Sequence, residues 1–231
     1  MSRFVVLRPL LLAMLCWLIA ASPAMAGVVI GATRLVMHER EAQKDVHLRA
    51  TGDGAYLVVS RVVDASARER GDIKAGEKGF HILPPIFVMK AGQERQLRII
   101  TDASHRLARD RETMLYLMVS FIPERNHEKN TVQIAVRTWI KLFYRPSALD
   151  GLEAPRLAVM REGGSMVIKN PSPFYISLSR VLLQGRQVVS PGDVPPFGEK
   201  RLLGCASAPS CELRWTQKTN DSRMMSHSVI R

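Results

Sequence analysis

Residues 132–146 read Val-Gln-Ile-Ala-Val-Arg-Thr-Trp-Ile-Lys-Leu-Phe-Tyr-Arg-Pro and carry the strongest pattern in the chain. Val132, Ile134 and Val136 fall on one side of an alternating ribbon, Gln133 and Arg137 on the other. That is the period-2 signature of a strand with one apolar face. A lone Lys141 then enters an aromatic block that stops at Arg145-Pro146. On pattern alone such a strand is either ordinary core or an edge offered to another chain. Shorter runs precede it at residues 28–37, 46–50, 56–63, 80–83, 86–89, 96–100 and 114–122. Turn residues such as Thr51-Gly52-Asp53-Gly54, Pro84-Pro85 and Ala91-Gly92 separate them. Residues 103–112 allow a turn of helix at most. About seven strands in roughly 120 residues, with no long amphipathic helix, predict an immunoglobulin-like sandwich.

Past Pro146 the composition changes. Residues 147–155 read as a linker, and strand candidates at 157–160, 165–169, 174–183, 187–189, 200–203, 212–215 and 226–230 follow between Gly- and Pro-rich breaks. This predicts a second, smaller β domain, near the size at which a core alone is marginal. The expected fold class is therefore all-β, with sandwiches over 27–146 and 147–231.

The first 26 residues belong to neither. Arg3 and Arg8 form a positive start, residues 10–21 an apolar stretch, and Ala24-Met25-Ala26 a small-residue cleavage site before Gly27. That is a secretory signal peptide cleaved after Ala26; its apolar run is too short for a membrane span. Cys16 leaves with it and follows Leu15, where a lipid-attachment signal wants a small residue, so no membrane anchor is expected. Cys205 and Cys211 remain. In an exported chain, an even pair this close reads as a disulfide, and Cys-Ala-Ser-Ala-Pro-Ser-Cys lacks both CxxC spacing and a nearby His for a metal.

The net charge is +12, two fewer once Arg3 and Arg8 are removed. Such a balance raises nucleic acid or a membrane surface as partners, but export argues against the first and dispersed basic residues against the second. The histidines at 38, 47, 81, 105, 127 and 227 show no HxH or HxxxH spacing. No GxSxG, phosphate loop or partnered nucleophilic cysteine occurs either. No catalytic residue, metal or cofactor is expected.

Four stretches give the chain a recognisable likeness: Gly31-Ala32-Thr33-Arg34; Leu83-Pro84-Pro85 with Ala91-Gly92; Arg109-Asp110-Arg111-Glu112-Thr113 leading into Leu115-Tyr116; and Lys141-Leu142-Phe143-Tyr144-Arg145-Pro146. Ile168-Lys169-Asn170-Pro171-Ser172-Pro173-Phe174-Tyr175 adds a further match. The chain resembles the periplasmic chaperones of the chaperone–usher pilus pathway, and its short loop at residues 123–130 resembles that of the short-loop members.

The resemblance implies two immunoglobulin-like domains in a boomerang, with pilin subunits and an outer-membrane usher as partners. Val132, Ile134 and Val136 then fill the groove of an incomplete pilin subunit, a donor-strand complementation. Arg34 and Lys141 would anchor the subunit's terminal carboxylate in the cleft between the domains. Glu112, Arg145 and Asp221 would form an interdomain ion network. Trp139 has no role on this reading. An apolar edge left exposed also invites self-association of the free protein. The competing expectation is a secreted immunoglobulin-like binding module or adhesin that keeps this strand for its own core.

Overall fold

The structure is a computed structural model and describes residues 27–52, 54–71, 76, 79–102, 106–124, 133–153, 156–189, 191–205, 210–218 and 224–230. In the first half the strands are β1 (Val28–Ile30), β2 (Arg34–His38), β3 (Gln43–Ala50) and β4 (Tyr56–Asp64). Helix α1 (Ala65–Arg70) follows, then β5 (Phe80–Leu83), β6 (Ile86–Met89), β7 (Glu94–Thr101), β8 (Thr113–Pro123) and β9 (Val136–Arg145). They form two sheets ordered β1-β3-β7-β5 and β2-β9-β8-β4-β6. Between the sheets lie Leu48, Leu97, Ile99, Leu117, Leu142 and their neighbours, all buried.

The first apolar run is not one strand. β1 pairs antiparallel with β3 in one sheet, whereas β2 pairs parallel with β9 in the other. Gly31 marks the crossing, its N–H donating to the His47 carbonyl at 2.8 Å. Splitting the run lets Val28 and Leu35 reach the same core from opposite sheets.

The helix lies where none was expected. Asp64 accepts the Ala67 N–H at 2.5 Å as an N-cap, and Gly71 closes the last turn at φ 67°, where a Cβ is disfavoured. Residues 106–112, by contrast, carry no helix. α1 covers the outer face of the second sheet, where Val63, Ala67 and Tyr116 form a separate buried cluster. Trp139 packs there, edge-to-face with Tyr116 at 6.3 Å between ring centres, and the Arg68 guanidinium lies 4.4 Å from the Tyr116 ring centre. Trp139 therefore serves the protein's own outer face.

The second half contributes β10 (Ala158–Glu162), β11 (Ser165–Lys169), β12 (Ile176–Leu183), β13 (Arg186–Gln187), β14 (Asp193–Val194), β15 (Glu199–Leu203), β16 (Glu212–Lys218) and β17 (Met224–Ile230). β10-β11-β15 form one sheet; β13-β12-β16-β17 form the other, with β14 against β12. Between them lie Met166, Ile168, Ile176, Val181, Val194, Leu213 and Trp215. The sequence pattern did not foresee β14: its two residues are framed by Gly192 and Pro195 and read as a turn.

Cys205 and Cys211 are joined, with Cα atoms 5.7 Å apart and a sequence separation of 6. The bond ties the end of β15 to the start of β16, and both cysteines are fully buried. A loop this short still removes about 2 kcal/mol worth of unfolded-state freedom. Replacing both cysteines with serine is expected to lower the second sandwich's stability by about that amount. Urea unfolding followed separately in the two halves checks this: the first half's transition should not move.

Candidate functional site

The parallel pairing of β2 with β9 positions the two basic residues. Arg34 is the register partner of Lys141, and the pairing continues through Leu35–Leu142 to His38–Arg145. The first residue of one strand is thereby set beside the sixth of the other. β8 flanks β9 from Thr113–Tyr144 to Phe121–Val136, all but its last residue. β2 covers only its second half. Among the described residues, the Val136–Ile140 stretch of β9 has no strand on its other edge, and a bare edge offers a row of backbone donors and acceptors to another chain.

The side chains change character at the same point. Tyr144, Leu142 and Ile140 share the inward face and are at most 3% exposed, whereas Val136 on that face is 54% exposed and Ile134, just before the strand, 73%. One alternating apolar row thus leaves its own core and continues into solvent. β9 begins at Val136, so the strand starts later than the sequence pattern suggested, with residues 133–135 outside it. Gln133 is held by donating to the Glu124 carbonyl at 2.6 Å. Val132 lies outside the described residues. Trp139 has the opposite parity and faces away from this row.

On the other face of β9, Lys141, Phe143 and Arg145 point at the second half of the chain. Phe143 is fully buried, 5.5 Å from Tyr175 between ring centres. The Arg34 guanidinium lies 5.2 Å from the centre of the Phe143 ring, a cation–π arrangement. Arg34 also donates to the Ser177 hydroxyl. Lys141 Nζ is 2.5 Å from Asp193 Oδ2, and Asp193 Oδ1 accepts the Ser177 hydroxyl. Burial lowers the pKa of Arg34, opposed by the negative charges of Asp193 and Glu112. Burial, then the charges of Asp193 and Glu112, raises that of the Tyr175 hydroxyl. The cleft therefore joins both halves of the chain around two cations and an aspartate. Sequence reasoning missed Asp193. It sits among Pro191, Gly192, Pro195 and Pro196, and nothing in that pattern separates it from any turn aspartate.

Beside this cleft, Arg145 donates through Nε at 2.9 Å and Nη2 at 2.8 Å to Glu112 Oε1. Glu112 Oε2 accepts the Tyr175 backbone N–H at 2.8 Å, and the Glu112 N–H donates to the Pro173 carbonyl at 2.8 Å. The Glu112 side chain is fully buried and that of Arg145 nearly so. Arg145 also lies 4.9 Å from the centre of the Phe174 ring. The pair thus bridges the two halves through the backbone of residues 173–175. Asp221, expected as a third member, lies outside the described residues.

Comparison with known proteins fits this geometry. Residues 27–150 match the pili and flagellar-assembly chaperone family, PapD N-terminal domain. Residues 153–219 match the pili assembly chaperone PapD C-terminal domain. The chain is 35% identical over 191 residues to the chaperone protein FimC of Escherichia coli O6:H1, covering 79% of this chain and 75% of that one. It is 31% identical over 206 residues to the chaperone protein LpfB of Salmonella typhimurium, covering 85% and 83%. The solved E. coli chaperone DraB superposes with a TM-score of 0.73 at 26% identity, over 88% of this chain and 98% of that one. The SafB chaperone, solved in complex with the Salmonella enterica SafA pilin, gives 0.73 at 25%, over 91% and 98%. The two halves are immunoglobulin-like domains, and the chain belongs to the PapD family of pilus-assembly chaperones.

Proposed function

We propose that this chaperone captures a pilin subunit by lending the free half of β9 as the strand the subunit lacks. Ile134 and Val136, together with Val132, insert into the subunit's groove, while Arg34 and Lys141 bind its terminal carboxylate. The observation that carries this reading is the exposed continuation of a core-facing apolar row along an edge that β2 leaves uncovered. A binding module that kept the strand for its own core would bury Ile134 and Val136 instead. Their burial in a partner is worth about 1.5–3 kcal/mol each, and added backbone pairing supplies the register. A one-residue slip would turn the row away from the groove, so fixing the carboxylate also fixes which side chains enter it. A chaperone solved with its pilin among the structural neighbours supports this choice of partner.

On the same reading the chain is exported with its leader cleaved after Ala26, works in the periplasm without a cofactor or catalytic turnover, and hands its subunit to an outer-membrane usher. The test is periplasmic co-expression of tagged chaperone with pilins from the same genome. At least one pilin is expected to accumulate and co-purify in equal amounts, and to be degraded without the chaperone. If every pilin accumulates equally well without it, the proposal fails.

A further inference from the structure

The cleft proposed to hold the subunit's terminal carboxylate already contains a carboxylate of the chaperone's own. We propose that Asp193 is an internal stand-in for the subunit terminus, occupying Lys141 directly and Arg34 through Ser177 in the free protein, and that an incoming C-terminus binds by displacing it. This rests on the anchor reading above and adds a gate to it.

Lys141 Nζ donates to Asp193 Oδ2 at 2.5 Å. The Ser177 hydroxyl accepts from Arg34 and donates to Asp193 Oδ1, so a single hydroxyl relays the aspartate to the second cation. Ser177 and Asp193 are register partners on β12 and β14, so the relay is built into strand pairing rather than into a wandering side chain. The Asp193 side chain is 9% exposed and that of Lys141 30%. The acid is the more enclosed member, and the ammonium is the group a ligand meets first.

Both oxygens of Asp193 are thus engaged, one on each basic partner's side, which is how a bound terminal carboxylate would be engaged. A second carboxylate brought to Lys141 would lie beside Asp193, and two like charges in one partly desolvated site disfavour each other. One of them leaves. Asp193 can do so at little structural cost, because β14 is two residues long and pairs with β12 only through Ile176–Val194 and Ser177–Asp193. Rotation of the Asp193 side chain releases Lys141 directly and leaves Ser177 as a partner for Arg34, without breaking the β12–β14 pairing.

The gate makes the cleft selective. A small carboxylate must displace Asp193 with nothing to offset the exchange. A pilin terminus brings a whole strand to β9 at the same time. The aspartate thereby raises the threshold for carboxylates that arrive without a strand.

Binding of a synthetic peptide tests this, using the C-terminal strand of a pilin shown to co-purify with the chaperone. The peptide is made with a free carboxylate or as an amide, and its affinity is measured for the native protein and for Asp193→Asn. Asparagine keeps the shape and can still accept from Ser177, but it removes the charge. Asp193→Ser is run in parallel, with thermal melts establishing that both variants are folded. The expected result is about tenfold tighter binding of the acid peptide by both variants, with the amide peptide unchanged. If the native protein prefers acid to amide but neither variant binds the acid more tightly, Asp193 is no gate and the anchor reading stands. If no form distinguishes acid from amide, the anchor reading falls and the gate with it.

Discussion

Arg34→Ala and Lys141→Ala are each expected to weaken pilin capture sharply, and together to abolish it, while the protein remains folded. The charge-assisted bonds from a guanidinium fork or an ammonium to a terminal carboxylate contribute about 1.5–3 kcal/mol each when partly desolvated. Losing one corresponds to roughly ten- to a hundredfold weaker binding, and losing both leaves capture beyond detection. Neither residue belongs to the main core: Lys141 is partly exposed, and Arg34 lies at the surface of the interdomain cleft over Phe143. Quantitative pull-down of a co-expressed pilin, alongside thermal melts, checks the prediction. Full capture by the double variant would remove these residues from the site. The Ile134→Asp variant acts on the other half of the mechanism. At 73% exposure in the free protein, Ile134 should tolerate the change without loss of fold, while a charge placed in an apolar groove blocks insertion.

Arg145→Ala is expected to cause the largest loss of stability, about 3–5 kcal/mol, because it strips the fully buried Glu112 of a cationic partner. The hydrogen bond from Tyr175 would remain, but a backbone N–H does not neutralise a buried carboxylate. The damage should appear at the boundary between the domains, since Glu112 contacts residues 173 and 175 as well as Arg145. Replacing both members, as Glu112→Leu with Arg145→Met, should recover most of the loss, as apolar substitutes for buried ion pairs often do. Urea unfolding of the single and double variants separates these outcomes. A loss below about 1 kcal/mol for Arg145→Ala would mean the pair behaves as an exposed one.

Strand positions were legible where apolar alternation was bounded by proline or glycine. β5, β6 and β11 have the limits that the pattern predicted, because Pro84-Pro85, Ala91-Gly92 and Gly163-Gly164 leave the chain no alternative. The run at residues 28–37 failed because alternation reports which residues face a core, not which sheet carries them. A strand that changes sheets keeps facing the same core. α1 escaped notice because six residues give no helical period, and its signal resides in the caps Asp64 and Gly71 rather than in hydrophobicity. Among its described residues the first domain holds nine strands instead of about seven, and the division of the first run between two sheets is invisible to periodicity.

The candidate site was legible unevenly. Arg34 and Lys141 stand out through the motifs around them, and the structure sets them side by side in register. Trp139 has no role on the sequence reading, and the outer-face cluster under α1 supplies one. Period 2 places it on the side opposite Ile134 and Val136, where bulk is an asset. Asp193 was not legible at all. Its importance comes from a two-residue bridge that brings residue 193 to residue 141 across the domain boundary, a contact that no local pattern encodes.

The donor-strand claim is tested most directly by amide hydrogen exchange along β9 in the free chaperone and in its purified pilin complex. Residues 141–145, already flanked by β2 and β8, should be protected in both. Over residues 133–140, the N–H groups that do not point at β8 should exchange readily when free and slow by tenfold or more, to order of magnitude, once a subunit strand pairs with them. Unchanged exchange over residues 133–140 in a stable complex, with new protection elsewhere, would contradict the account.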